Sequence, residues 1–335
     1  MQHFVYGEPQ VPCLFIFGDS LSDNGNNNLL ITSAKANYKP YGIDYPDGST
    51  GRSTNNRNSI DIIGQLLGFN KSIPPFVNIV GSDIMKGVNY ASSSAGILDE
   101  SGSNLGARLS LNTQIRNHRI TVDRIGIRVG DIEKAKEYIN KCLYYMNIGS
   151  NDYINNYFLD WSPTRRIYSL EEYTEILIDR YSRSLQDLYE YGARKFVIVG
   201  TGFLGCTLQA ISTRGTNGSC VEEMNNASFI FNDKLKDLVD QVNSNSSDMK
   251  SIFVNMASTT LYEGPRVSNA SCCPTMGDGR CVRNQKPCQN RTDYVFWDAT
   301  HPTDVVNEKI AIISYNASDP NITHPMDINH FVQSG

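Results

Sequence analysis

The chain has 335 residues, is 40% hydrophobic and 19% charged, and carries a net charge of −5 with a pI near 5.6. That length can bury a sizeable core. The acidic balance, without any Lys/Arg cluster, excludes a nucleic-acid surface, and no apolar run reaches the roughly 18 residues that a membrane span needs.

The first apolar run, CLFIFG (13–18), is apolar throughout rather than alternating, which predicts a strand buried on both faces. Ser20 follows it by two residues, after Gly18 and Asp19, where the chain must turn. A serine there can expose its hydroxyl beside free backbone N–H groups, although its commoner role in that position is a helix N-cap. A helix is predicted over 57–67, with Ile60, Ile63, Leu66 and Leu67 on one stripe.

KGVNYA (86–91) is the second predicted strand. The small residues of GVNYASSSAGIL (87–98) either let the backbone approach a ligand closely or form an ordinary flexible loop. KCLYYMNIG (141–149) is the third strand, and Asn151 follows it in NIGSNDY. Asn151 is either a turn residue or an amide aimed at an oxyanion.

The segment 169–192 is the clearest helix. Ser169 and Glu172 have capping-box spacing, Tyr173, Leu177, Tyr181, Leu185 and Leu188 form a stripe, and Gly192 follows as the stop. RKFVIVG (194–200) and KSIFVNM (250–256) complete five strands, with further helices expected near 221–243 and 303–315. His301 lies in YVFWDATHPTD, three residues after Asp298. A serine nucleophile needs a base, and the base needs an orienting acid; these two could supply both, or be a local surface pair.

Strands alternating with helices predict a doubly wound α/β fold, read as a single domain over 1–335 with loop insertions. In such folds ligands bind at the carboxyl ends of the strands, where Ser20, the 87–98 loop and Asn151 all fall.

The eight cysteines show no C-x-x-C pair and the chain has only five His, a poor fit to zinc. They read as disulfides of a protein of the secretory pathway, secreted or vacuolar. Sequons at Asn217, Asn226, Asn245, Asn269, Asn290, Asn316 and Asn321 add an expectation of N-glycosylation. The opening MQHFVYGEPQVPC lacks the charged and apolar regions of a signal peptide.

The blocks FGDSLSDNGNNN, GVNYASSSAGIL, NIGSNDY and FWDATHPT resemble, in order, the four sequence blocks of the plant GDSL esterase/lipases, members of the SGNH hydrolase superfamily. STGRSTNNRNSIDII resembles a further block, and together they run from Phe17 to Thr303. The resemblance implies a three-layer α/β/α, flavodoxin-like fold with a five-stranded parallel sheet. It implies Ser20 as nucleophile, His301 as general base and Asp298 as its orienter, with the Ser20 N–H and the Asn151 side chain stabilising the oxyanion.

Two departures stand out. Ser93 and Ser94 replace the usual two glycines, and by spacing from Asn89, Ser94 takes the place of the oxyanion glycine. It is expected to donate through its backbone N–H and to be strained if the position needs positive φ. GRSTNNR also lacks the aromatic that often follows Gly-Arg in the family. Cys206–Cys220 and Cys281–Cys288 are the disulfides the resemblance suggests.

The function expected is that of a secreted, monomeric serine esterase acting on a small or medium acyl ester through an acyl-enzyme, with no metal or organic cofactor. An acyltransferase with the same triad and an alcohol acceptor is the alternative. A non-catalytic binding protein on the same scaffold is the third, supported only by the lost glycines.

Overall fold

The computed structural model describes residues 8–80, 83–259, 266–317 and 319–334. Its strands are β1 (Leu14–Gly18), β2 (Leu143–Asn147), β3 (Lys195–Val199), β4 (Lys250–Val254), β5 (Val267–Ser271), β6 (Tyr294–Phe296) and β7 (Thr323–His324). The central sheet has the order β1-β2-β3-β4-β7, with β1 to β4 parallel and β7 antiparallel on the edge.

Why the strands read as unbroken apolar runs is visible in their two faces. Phe15, Phe17, Tyr144, Met146, Phe196, Ile198 and Phe253 enter one core, and their sequence neighbours Leu14, Ile16, Leu143, Tyr145, Val197, Val199, Ile252 and Val254 enter the other. Successive side chains point to opposite faces of a sheet, so a sheet covered on both faces needs apolar residues at every position. Helices Leu111–Val129, Leu170–Glu190 and Glu222–Asn245 close the first core; Ser59–Leu66, Asp304–Tyr315 and Ile328–Gln333 close the second.

The cap signals act as expected. The Ser169 side chain accepts from Glu172 N while the Glu172 carboxylate accepts from Ser169 N, and Gly192 takes a φ of 108° just past the helix end. The stripe from Tyr173 to Leu188 is buried. The 19-residue helix Leu111–Val129 was not foreseen from the sequence. It buries Gln114, His118 and Thr121 on the same face as Leu111, Ile115, Val122 and Ile125, so its apolar stripe is interrupted. Those polar groups have partners inside the fold: Gln114 bonds both the N–H and the carbonyl of Gly18, and His118 sits between the hydroxyls of Tyr90 and Tyr144.

The wholly parallel five-stranded sheet is corrected in one respect. The 86–91 segment pairs with β1 at one bridge only, through Ile16 N to Val88 O and Tyr90 N to Ile16 O. Gly87, at φ 110°, turns the chain there, and a Cβ at that position would fall 1.9 Å from the Leu14 carbonyl oxygen. The fifth strand is instead the antiparallel Thr323–His324.

Cys206–Cys220 forms as expected, and Cys13–Cys142 joins the chain ahead of β1 and β2. The expected Cys281–Cys288 pair does not form: Cys272 bonds Cys288 and Cys273 bonds Cys281. Cys288 N donates to Cys272 O at 2.7 Å, which lays these two backbones side by side and leaves Cys281 to Cys273. These last two bridges, with Ala36, Tyr38, Tyr41 and Trp297, form a third small core that joins the insertion after β1 to the late loops.

Candidate active site

The parallel register aligns Gly18, Asn147, Val199 and Val254 at the carboxyl edge of the sheet. Ser20 lies just past that edge, in a tight turn where Ser22 N and Asp23 N both bond the Asp19 carbonyl. Gly18 has no room for a side chain, since a Cβ there would sit 2.7 Å from Asn147 O on the neighbouring strand.

His301 Nε2 lies 2.7 Å from Ser20 Oγ. On the other side of the ring, Nδ1 lies 3.0 and 2.9 Å from the two Asp298 oxygens. A carboxylate only accepts, so Nδ1 carries the proton and the Nε2 lone pair faces the serine hydroxyl. Asp298 is 1% exposed. Its Oδ1 accepts from the N–H groups of Thr300 and His301, both at 2.8 Å, and its Oδ2 accepts from the Tyr41 hydroxyl at 2.7 Å. The three-residue spacing is therefore a turn closed by the aspartate's own side chain.

Burial alone would raise the Asp298 carboxyl, but the His301 charge and the hydrogen bonds from His301 and Tyr41 hold it below the usual carboxylate value. Burial alone would lower His301; the Asp298 charge and hydrogen bond overcome this, and Asp19 adds to them, so the imidazole titrates above its ordinary value. Asp19 is a second carboxylate at the site that the sequence did not single out. Burial pushes it up to about 7 against its bond from Leu21 N and the nearby His301.

Asn151 stands at the turn after β2 and donates Nδ2 to Ala95 O at 3.0 Å. A carbonyl only accepts, which fixes the nitrogen on that side, and Asn155 Nδ2 donates to Asn151 Oδ1 at 2.7 Å. Asp19 Oδ2 is 3.5 Å from the same Nδ2. The neighbouring Asp152, pushed up to about 6 by burial, accepts from Ile97 N, Leu98 N and Ser101 Oγ and so ties the 87–98 loop to this turn.

Ser94 takes a φ of 67°, the positive value at which a serine is strained, at a cost of roughly 1–2 kcal/mol. Neither the Ser20 nor the Ser94 backbone N–H bonds an acceptor among the described residues. Ser20, Ser94, Asn151, Asp298 and His301 all line one cleft of about 480 Å³. Every site residue expected from the sequence is thus brought together.

Ile154, Phe158, Leu159, Trp161 and Met224 give the cleft an apolar stretch, and Ser53 lines it where the missing family aromatic would stand. Ahead of Ser53, Arg52 makes a buried two-pronged pair with Asp61, Nε to Oδ2 at 2.6 Å and Nη2 to Oδ1 at 2.8 Å. Among the described residues no cluster of His, Cys, Asp and Glu could hold a metal ion. Tyr41 had no signal in the sequence, because its tie to Asp298 exists only in the folded chain.

Such a site can carry a hydroxyl nucleophile, a base to receive its proton, a buried acid behind the base, and N–H donors around a developing negative charge. The family model described as GDSL-like lipase/acylhydrolase matches residues 14–313. Two GDSL esterase/lipases of Arabidopsis thaliana are similar to the chain, at 45% identity over 97% of it and 93% of the relative, and 43% over 98% and 93%.

Proposed function

Since the chain belongs to the GDSL-like lipase/acylhydrolase family and is a carboxylic ester hydrolase, we propose that it cleaves small or medium carboxylic esters through an acyl-enzyme on Ser20. The observation that carries this reading is the unbroken relay from Ser20 Oγ through His301 to Asp298, with bonds of 2.7 and 2.9 Å.

Ser20 Oγ attacks the ester carbonyl as its proton passes to His301 Nε2. Asp298, unprotonated throughout, holds the ring and stabilises the imidazolium. The carbonyl oxygen takes up the negative charge against the Ser20 and Ser94 N–H groups and the Asn151 amide. Collapse breaks the bond to the alcohol, which leaves with the proton from Nε2. Water then attacks the acyl-enzyme, giving its proton to the same nitrogen; the second collapse releases the acid and returns the proton to Ser20 Oγ. The apolar stretch of the cleft suits the acyl chain. An alcohol in place of water would make the enzyme a transferase by the same steps.

The chain is read as a single hydrolase domain of the secretory pathway. All eight cysteines are paired in disulfides, which persist in oxidising compartments. The seven sequon asparagines from Asn217 to Asn321 are all exposed, and Asn70, in a further sequon with Ser72, is exposed as well.

The test is turnover of a short-chain p-nitrophenyl ester by the wild type and by Ser20→Ala, with intact mass recorded for an acyl adduct. Turnover and adduct in the wild type, and neither in the variant, are expected. A Ser20→Ala protein that keeps wild-type turnover refutes the reading. Added alcohol, with the ratio of new ester to free acid measured, separates transfer from hydrolysis.

A further inference from the structure

The chain has two tryptophans, and their settings are opposite. Trp297 is 0% exposed in the third small core, whereas Trp161 is 63% exposed and lines the cleft that holds Ser20 and His301. Its neighbour Phe158 is buried against the Tyr157 ring and has the Arg165 guanidinium 5.7 Å from its own ring centre. The Trp161 indole has no such ring or cation partner among the described residues. The backbone that carries it is nonetheless fixed. On one side Arg214 donates to Phe158 O and Asp160 Oδ1; on the other, the buried Ser162 donates to Asn156 Oδ1 at 3.2 Å. A large indole left in water on the wall of a cleft is apolar area that a ligand can cover.

The cleft has two unlike halves. The turn bearing Asp298 and His301 is flanked by Gln209, whose N–H bonds Ala299 O, and by the turn Asp278 to Arg280, where Gly279 O accepts from Ala299 N, both at 2.9 Å. That half is polar and charged. The other half follows Asn151 along the chain and supplies Ile154, Phe158, Leu159 and, outermost in exposure, Trp161. The leaving alcohol takes its proton from His301 Nε2 and so lies on the polar side. The acyl chain leaves the same carbonyl in the other direction, where the apolar residues begin three positions after Asn151. At about 480 Å³ the cleft is in the range, roughly 300–1,000 Å³, that holds a whole small ligand, and an acetyl group would fill little of it.

We infer that Trp161 sets the acyl-chain preference of this enzyme: the chain of a medium-length ester runs along the Ile154 to Leu159 wall and ends against the exposed indole. This rests on the ester-cleavage reading above and narrows it, from small or medium esters to those whose acyl chain reaches Trp161. Contact removes apolar surface of both the chain and the indole from water, which favours the longer ester. Trp161 acts on specificity and takes no part in the proton relay.

The test compares the wild type, Trp161→Ala and Trp161→Phe on p-nitrophenyl acetate and octanoate, kept below their solubility limits, and on ethyl and octyl acetate by acid release. The octanoate-to-acetate ratio of kcat/KM should fall about tenfold in Trp161→Ala, chiefly through KM, and Trp161→Phe should keep most of it. The octyl-to-ethyl acetate ratio should stay as in the wild type. A second readout is direct. The p-nitrophenyl ester of a methyl- or octylphosphonate forms a phosphorus bond to Ser20 Oγ, whose proton passes to His301, and releases p-nitrophenolate; the alkyl group is left in the acyl position. Because Trp297 is buried, acrylamide quenching of tryptophan fluorescence reports Trp161, and it should be weaker in the octyl adduct than in the methyl adduct. An unchanged octanoate-to-acetate ratio, an equal loss in both variants, equal quenching of the two adducts, or a loss in the octyl acetate series instead each overturns the inference. So does an octanoate preference seen only once the ester separates as droplets, which would assign the indole to a lipid surface. Failure of the acyl-enzyme reading shows separately, as a wild-type protein that gains no phosphonyl mass, and the ester ratio then still decides the role of Trp161.

Discussion

The Tyr41 hydroxyl donates to Asp298 Oδ2 at 2.7 Å and also accepts from Cys281 N at 3.2 Å, joining the insertion after β1 to the loop that carries Asp298 and His301. Burial and the adjacent Asp298 charge push the phenol well above its ordinary pKa, so it stays a neutral donor at any working pH. Tyr41→Phe should leave Asp298 short of one bond and Cys281 N without its acceptor. A stability loss of about 1–3 kcal/mol is expected in denaturant unfolding. Since Asp298 orients the base, kcat should fall about tenfold with KM little changed; an unchanged kcat would mean that Tyr41 only joins the two loops.

The pH dependence follows from the shifts at His301 and Asp298. His301 must be neutral to accept the serine proton, and its pKa is raised by Asp298 and Asp19 against burial. Activity should therefore be lost, as pH falls, with an acid limb above 6.5, the ordinary histidine value. Asp19, near 7, titrates in the same window, so the limb belongs to the coupled groups. Asp298→Asn removes the largest raising influence and favours the wrong tautomer. The limb should move to lower pH while kcat drops roughly 10⁴-fold. A wild-type acid limb at or below 6.5 would contradict the assignment.

Asn151 is held by Ala95 O and Asn155, and its amide nitrogen also lies 3.5 Å from Asp19 Oδ2, a long contact that the developing oxyanion would displace. Asn151→Ala should cost roughly 10²–10³ in kcat if the amide stabilises the transition state. Steady-state kinetics with matched circular dichroism would separate this from misfolding. Wild-type turnover would remove Asn151 from the oxyanion site.

Arg52 and Asp61 are each 4% exposed at the side chain, and the guanidinium lies 4.2 Å above the Tyr45 ring. Burial would raise Asp61, but Arg52 holds it below its ordinary value. With the folded pKa depressed, the stabilisation is present above 3.8 and is lost as pH falls through the folded value. Arg52→Met strands a buried carboxylate and should cost about 3–5 kcal/mol, whereas Arg52→Met with Asp61→Leu should recover most of the loss. Urea unfolding of the two variants checks both; a single variant as stable as the wild type would show that the pair contributes nothing.

Local chemistry made much of this protein legible in its amino-acid order. Strands buried on both faces need apolar residues at every position, so β1 to β4 stood out. Ser169, Glu172 and Gly192 carry their cap signals within one turn of chain, so the helix ends stood out as well. Ser20, Asn151, Asp298 and His301 were singled out because each sits in a short block at or near the end of an element, and it was the resemblance of those blocks to a family that set a catalytic role above the ordinary turn, cap or surface-pair role. What depended on distant contacts was not legible. The antiparallel edge strand, the Cys272–Cys288 and Cys273–Cys281 pairing, and the Tyr41 bond to Asp298 follow from how the insertions pack on one another. The raised Asp19 carboxyl and the unpaired Ser94 hydroxyl likewise required the fold, because burial is a property of everything packed around a side chain and not of its neighbours in sequence.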